Sequence, residues 1–177
     1  MTQNESICDL LDRLCAIVPD YPQPGVSFKD LTPVFADPVG LRRIVDELVE
    51  CFAGQFDIVA GLEARGFVLA AAAAYASGTG MLTIRKAGKL PRDVYRDDYT
   101  LEYGSASLEI HKDEIAPGTR VLILDDVLAT GGTVGSAARL IERAGGVVIG
   151  VGVVLELGEF DGRAQLSGRK IESLQIV

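Results

Sequence analysis

The segment Val121-Leu-Ile-Leu-Asp125-Asp126-Val-Leu-Ala129-Thr130-Gly131-Gly132-Thr133 constrains this chain more than any other. Four consecutive apolar residues, Val121–Leu124, predict a strand buried on both faces, which is the habit of parallel sheets covered by helices. Two carboxylates follow at its C-terminal end, where open α/β sheets bind ligands. Ala129–Thr133 then leads into a helix over Ser136–Arg143, closed by Gly145-Gly146. Glycines let backbone N–H groups approach an anion, and a helix N-terminus favours one. Thr130 and Thr133 add hydroxyl donors. A phosphate cradle therefore adjoins two acids that repel phosphate but suit vicinal hydroxyls or a cation. A ribose 5-phosphate satisfies both halves. The segment lacks the Gly-Lys-Ser/Thr of a P-loop and the GxGxxG of a dinucleotide fold. The plain alternative is a strand ending in two solvated aspartates, which does not explain acids, glycines and hydroxyls in this order.

The same rhythm extends along the chain. Strands are predicted at Asp57–Gly61, Met81–Arg85, Ser105–Ile110, Val147–Leu155 and Ile171–Val177, with a small-residue helix at Phe67–Ala76. Alternating buried strands and helices predict an α/β fold: a mainly parallel twisted sheet with helices on both faces. Residues 1–36 break the alternation and read as a small N-terminal hood on a single domain spanning 1–177. Within that hood, Ile7, Leu10, Leu11, Leu14 and Val18 recur at helical spacing after a capping box at Thr2 and Glu5. Asp37-Pro38 starts a second helix, whose buried stripe is Leu41, Ile44, Val45, Leu48 and Phe52, with Gly54 closing it. Lys86–Tyr103 is charged and weakly periodic, and reads as a long loop.

Composition narrows the partners. A net charge of −8 is the wrong sign for a general nucleic-acid binder. One histidine, His111, nearly excludes a His-built metal site or a Ser/His/Asp triad. Three cysteines without a CxxC pair suit a reducing compartment. The longest apolar run, Phe67–Ala76, falls short of the roughly 18 residues of a membrane span. With no basic leader before Asp12, a cytoplasmic protein is expected.

Residues 121–133 resemble the phosphoribosyl-diphosphate (PRPP) signature of type I phosphoribosyltransferases. Three further segments narrow the resemblance to the adenine phosphoribosyltransferase family. They are Asp20-Tyr-Pro-Gln-Pro-Gly-Val-Ser-Phe-Lys-Asp30, Ala60-Gly-Leu-Glu-Ala-Arg-Gly-Phe67, and Ile84-Arg-Lys-Ala-Gly-Lys-Leu-Pro91 with Tyr99-Thr-Leu-Glu-Tyr-Gly104. The likeness runs from about residue 15 to the C-terminus, through Leu155-Glu-Leu157 and Gly162-Arg163. It implies the type I phosphoribosyltransferase fold and transfer of ribose 5-phosphate from PRPP to adenine, giving AMP and pyrophosphate in purine salvage. It also implies Mg²⁺ and a homodimer.

The resemblance assigns roles. Ala129, Thr130, Gly131, Gly132 and Thr133 would hold the 5′-phosphate, and Asp125 and Asp126 would face the ribose. Glu63, Ala64 and Arg65 would meet pyrophosphate, an arginine fork being suited to phosphate oxygens. Arg85, Lys86 and Lys89 would join them from a dimer interface, although scattered cations alone read as a solvated face. Glu102 would approach N7 of adenine and assist proton movement, with Tyr103 beside it. Val26, Ser27, Phe28 and Lys29 would read adenine through backbone groups and the Phe28 ring. Lys29 stands where the family pattern usually has arginine, a change that a backbone role survives. Leu157 would close the far side of the base, its plain alternative being core packing. Mg²⁺ would be held mainly by PRPP and water, and no protein ligand is assigned.

Other readings differ in what they need. A sister enzyme for xanthine, guanine or hypoxanthine should lack the Pro-Gly-Val-x-Phe and Leu-Glu-Tyr-Gly segments. A non-catalytic PRPP-binding regulator of nucleic acid needs a basic surface. A plain ribose-phosphate module has no use for Arg65 or Glu102.

Overall fold

The computed structural model describes residues 5–21, 23–25, 27–100 and 105–177. In chain order the helices are α1 (Ile7–Leu14), α2 (Thr32–Ala36), α3 (Pro38–Glu50), α4 (Arg65–Ser77), α5 (Gly132–Arg143) and α6 (Gly162–Gln165). The strands are β1 (Ala16–Pro19), β2 (Ser27–Asp30), β3 (Ile58–Leu62), β4 (Gly80–Lys86), β5 (Val94–Thr100), β6 (Ser105–His111), β7 (Arg120–Leu128), β8 (Val147–Glu156) and β9 (Ile171–Ile176).

Seven strands form one sheet in the order β5-β6-β4-β3-β7-β8-β9. Strands β4, β3, β7, β8 and β9 run parallel, while β6 is antiparallel to both β4 and β5. The twofold alternation of strand side chains splits β7 between two cores. Val121 and Ile123 pack with Val134, Ala137, Ala138, Leu140 and Ile141 of α5. Leu122 and Leu124 pack on the other face with Ile44 and Leu48 of α3 and Leu69, Ala70 and Ala73 of α4. The sheet is thus covered on both sides, as alternating strands and helices predict.

Local chemistry sets the helix starts. Asp37 caps α3, its Oδ1 accepting from Val39 N at 3.1 Å and Gly40 N at 2.7 Å, with Pro38 at the first helical position. The first helix is capped by Ser6, whose Oγ accepts from Asp9 N at 3.1 Å, rather than by Thr2, which lies outside the described residues. Leu10 and Leu11 of α1 are buried in the same core as α3 and α4.

Several elements depart from the sequence reading. The presumed loop 86–103 contains β5, an edge strand whose charges find partners: Arg96 Nε donates to Asp98 Oδ1 at 2.9 Å, and Arg139 Nη2 of α5 to Asp97 Oδ2 at 2.6 Å. The 16–30 region is an antiparallel hairpin, with Ile17 opposite Lys29 and Val18 opposite Phe28. Strand β7 runs on through Asp125 and Asp126 to Leu128, so the acids sit within the strand's last turns of pleat rather than beyond it.

Candidate active site

Strand register brings the candidate residues to one edge of the sheet. Gly61 of β3 lies opposite Leu124 of β7, so the loop Glu63–Arg65 and the acids Asp125 and Asp126 leave neighbouring strands at the same level. Leu62 lies opposite Ile84 of β4, which sets Arg85 and Lys86 beside Glu63. Leu128 lies opposite Glu156 of β8, and Leu157 N donates to Leu128 O at 2.9 Å, so Leu157 adjoins Ala129.

Arg65 opens α4 and its guanidinium turns toward the acids. Its Nε lies 2.7 Å from Asp126 Oδ2 and its Nη1 3.9 Å from Asp30 Oδ1. The Asp126 approach is too oblique for a hydrogen bond, so this buried carboxylate oxygen has an ionic neighbour but no donor. Arg65 Cζ also stands 5.6 Å from the centroid of Phe28, within cation–π range. Tyr21 meets Phe28 edge to face, at 5.3 Å between ring centroids. One arginine therefore ties the β1–β2 hairpin to the end of β7. Thr32 donates from Oγ1 to Asp30 Oδ2 at 2.5 Å and from its amide to Asp30 Oδ1 at 3.0 Å, and these bonds hold the Asp30 carboxyl below its usual range.

The close approach of α4 to β7 requires glycine at position 66. A Cβ there would stand 2.8 Å from Leu124 O and 2.9 Å from Asp125 Oδ1. Asp125 Oδ1 accepts from Asp126 N at 2.9 Å. Part of Asp125 is exposed at the sheet edge, yet protein packed around its carboxyl, followed by the neighbouring charge of Asp126, pushes its pKa well above the carboxylate range.

Glu63 gathers the cations. Lys89 Nζ donates to its Oε1 at 2.5 Å, the Lys86 amide to its Oε2 at 3.0 Å, and Arg85 Nε lies 3.4 Å from Oε2. Burial pushes the Glu63 carboxyl up, but the hydrogen bonds from Lys89 and Lys86 and the charges of Lys89 and Arg85 outweigh it and lower its pKa. A carboxylate has no donor for a phosphate oxygen. Glu63 is thus suited to organising cations, not to touching pyrophosphate itself. The Glu63–Ala64 peptide is cis, and Ala64 is exposed at the start of α4.

The presumed phosphate loop is backbone-built. Gly131 has φ +82°, and Gly135 N donates to Gly131 O at 2.8 Å to begin α5. Gly132 N lies 3.5 Å from Thr130 Oγ1, leaving the first-turn amides of α5 free of any strong cap. Thr133 Oγ1 reaches the Tyr99 hydroxyl of β5 at 3.4 Å. Among the described residues no group of three His, Cys, Asp or Glu side chains could hold a metal ion. The donorless Asp126 oxygen beside Asp125 fits an ion whose other ligands come from substrate and water.

The remaining candidates stand as follows. Lys29 Nζ donates to Asp12 Oδ1 of α1 at 3.2 Å. Ser27 and Phe28 lie on β2, Ser27 exposed and Phe28 half-buried. Val26 and Glu102, with Tyr103, lie outside the described residues. Sequence reasoning passed over Asp30 and Tyr99 as site residues. The Asp-x-Thr turn ahead of Pro33 was the available signal for Asp30, whereas nothing local signalled Tyr99.

Comparison with known proteins identifies the family and the fold. The phosphoribosyl transferase domain family matches residues 38–170. The adenine phosphoribosyltransferase of Renibacterium salmoninarum is 65% identical over 96% of this chain and 93% of its own length. The crystal structure of adenine phosphoribosyltransferase from Thermoanaerobacter pseudethanolicus superposes with a TM-score of 0.92 at 42% identity, covering 96% of this chain and 99% of that one. The Saccharomyces cerevisiae enzyme, crystallised with adenine and an imino-altritol bisphosphate, gives 0.89 at 34% identity over 95% and 98% of the two chains. With its seven-stranded sheet, its backbone-built loop at α5 and relatives of this closeness, the chain belongs to the adenine phosphoribosyltransferase family of type I phosphoribosyltransferases.

Proposed function

We infer that the chain transfers ribose 5-phosphate from PRPP to adenine, releasing AMP and pyrophosphate. Its main support is the meeting of Arg65 with Asp126 at the sheet edge where α5 presents its free amides. Ala129–Thr133 hold the 5′-phosphate with those amides and the Thr130 and Thr133 hydroxyls. Asp125 and Asp126 accept from the ribose hydroxyls. As the bond from C1 to pyrophosphate breaks and the bond to adenine N9 forms, positive charge grows on the ribose ring, and the two acids stabilise it. On pyrophosphate binding, Arg65 exchanges Asp126 for phosphate oxygens, joined by Lys86 and by Arg85 and Lys89 as Glu63 releases those two. Mg²⁺ would be held mainly by PRPP oxygens and water, where it would neutralise charge on the pyrophosphate. Residues 1–36 act as the hood: Val26, Ser27, Phe28 and Lys29 bind adenine, Phe28 by stacking, and Leu157 closes the pocket. Lys29 acts through its backbone, its ammonium being engaged by Asp12. The yeast relative's bound adenine supports the choice of base. Incubation with PRPP, Mg²⁺ and each purine base in turn tests it. AMP and pyrophosphate are expected from adenine, with guanine and hypoxanthine far poorer, and equal turnover of guanine would remove the adenine assignment.

The working unit proposed is a homodimer, and its compartment the cytoplasm, in keeping with three unpaired cysteines and no helix able to cross a membrane among the described residues. Tyr75 is 92% exposed and Val68 42%, on one face of α4 with the exposed Ala71. So large an aromatic left in water suits contact with a second copy, and α4 starts at Arg65, close to the site. Tyr75→Asp is expected to convert a dimer mass to a monomer mass in light scattering. A monomer mass for the unaltered chain would overturn the dimer.

A further inference from the structure

Behind the phosphate loop two backbones touch through glycines. A Cβ on Gly162 would stand 2.0 Å from Ala129 O and 3.1 Å from Gly131 N. A Cβ on Gly131 would in turn stand 2.6 Å from Gly162 O. The 129–131 turn therefore rests directly on the start of α6, and its depth follows where Gly162 sits. That segment is only four residues long and follows Asp161, a non-glycine at φ +48°, so it does not hold its own position.

The next side chain supplies the anchor. Arg163 Nε donates to Glu156 Oε1 at 2.7 Å, Nη1 to Ile171 O at 3.1 Å and Nη2 to Ser173 Oγ at 3.1 Å. The Ser173 hydroxyl donates to the other Glu156 oxygen. Glu156 is a buried acid at the end of β8, and Ile171 and Ser173 belong to β9. The fork thus pins α6 to two rigid strands, and through Gly162 it pins the loop.

We propose that Arg163, clamped by Glu156 and Ser173, is a positioning residue that sets the phosphate-loop geometry through the Gly162–Ala129 contact. The inference rests on residues 129–133 binding the 5′-phosphate. That phosphate keeps all its bonds during transfer, so a misplaced loop weakens ground state and transition state alike. Such a loss raises KM and leaves kcat nearly unchanged.

Binding of PRPP, ribose 5-phosphate and pyrophosphate is measured by calorimetry, each with Mg²⁺, alongside steady-state kinetics. Arg163→Ala is expected to weaken ribose 5-phosphate and PRPP by about tenfold, in the range of a small misplacement of a binding group. Pyrophosphate affinity, KM for adenine and kcat should stay within roughly twofold, as for loss of uniform binding. Arg163→Lys keeps the charge but not the fork, and should show a smaller loss confined to the same ligands; it carries the test if the alanine variant unfolds. Gly162→Ala should reproduce the selective loss with Arg163 intact. Thr133→Ala separates the two levels. If it weakens ribose 5-phosphate and Arg163→Ala does not, the positioning role is overturned and the phosphate site stands. If neither weakens it, the phosphate site fails and the positioning role with it. Equal losses for pyrophosphate and ribose 5-phosphate in Arg163→Ala would mark a general structural role and overturn the proposal.

Discussion

Asp125→Asn is expected to lower kcat by roughly 10²–10³ while raising the melting temperature at neutral pH. The two effects come from the same burial. Asp125 sits on a strand end packed by Gly66 of α4, with Asp126 adjacent, and its pKa is pushed well above the ordinary value. A carboxyl whose folded-state pKa exceeds its unfolded value binds its proton more tightly in the folded state. Stability is therefore intact below the unfolded pKa, about 3.9, and falls as pH rises from there through the raised folded pKa. Asparagine has no charge to bury, so the variant's advantage should be absent at pH 3, grow through that window and level off above it. Asp126→Asn should lose turnover to a similar degree without the same gain in stability, because it gives up the ionic contact with Arg65 at 2.7 Å. Steady-state rates and thermal melts across pH 3–8 read both quantities. Unchanged kcat and KM for PRPP in both variants would refute the ribose role, and a flat difference in melting temperature would refute the buried charge.

Such opposed effects are typical of groups kept for chemistry, and they explain why this part of the molecule was legible in sequence. Asp125 and Asp126 interrupt an apolar run where packing alone would have continued it. The glycines after them break helix propensity where a helix begins. Both are local violations, visible one residue at a time. What stayed hidden was non-local. Strand β5, Val94-Tyr-Arg-Asp-Asp-Tyr-Thr100, reads as a charged loop because its charges are answered by Arg139 of α5 and Ser107 of β6, distant in sequence. The β1–β2 hairpin carries prolines at and after its first strand, a pattern that argues against pairing until an edge position is known. Gly162 looks like any turn glycine until Ala129 O is found against it. Glu109 shows the same limit from the other side. An acid in an alternating strand reads as solvent-facing, yet it is buried and accepts from Gly88 N at 2.8 Å. Glu102, outside the described residues, is assigned only through the Leu-Glu-Tyr-Gly match, since a lone glutamate in a charged stretch has no distinguishing chemistry.

Glu102→Gln is expected to reduce kcat by roughly 10²–10⁴, the range for a positioned acid–base group. Glutamine keeps the size and hydrogen-bonding shape of the side chain but cannot exchange a proton as a carboxylate does. Glu102 itself lies outside the described residues, but the strands on either side of it are fixed. Thr100 of β5 pairs with Ser105 of β6, and Tyr99 reaches Thr133 of the phosphate loop at 3.4 Å. Since Glu102 is assigned to the base, Glu102→Gln should change PRPP binding little, and Glu102→Leu should be at least as damaging because it also removes the hydrogen bond. Glu109 is unsuitable as a control, being buried and bonded to Gly88; Glu47, exposed on α3, serves instead. Single-turnover measurement with saturating PRPP isolates the chemical step. Should Glu102→Gln react as fast as Glu47→Gln there, no carboxylate at position 102 takes part in proton movement, and the transfer rests on orientation by the hood and on charge stabilisation by Arg65 and the two aspartates alone.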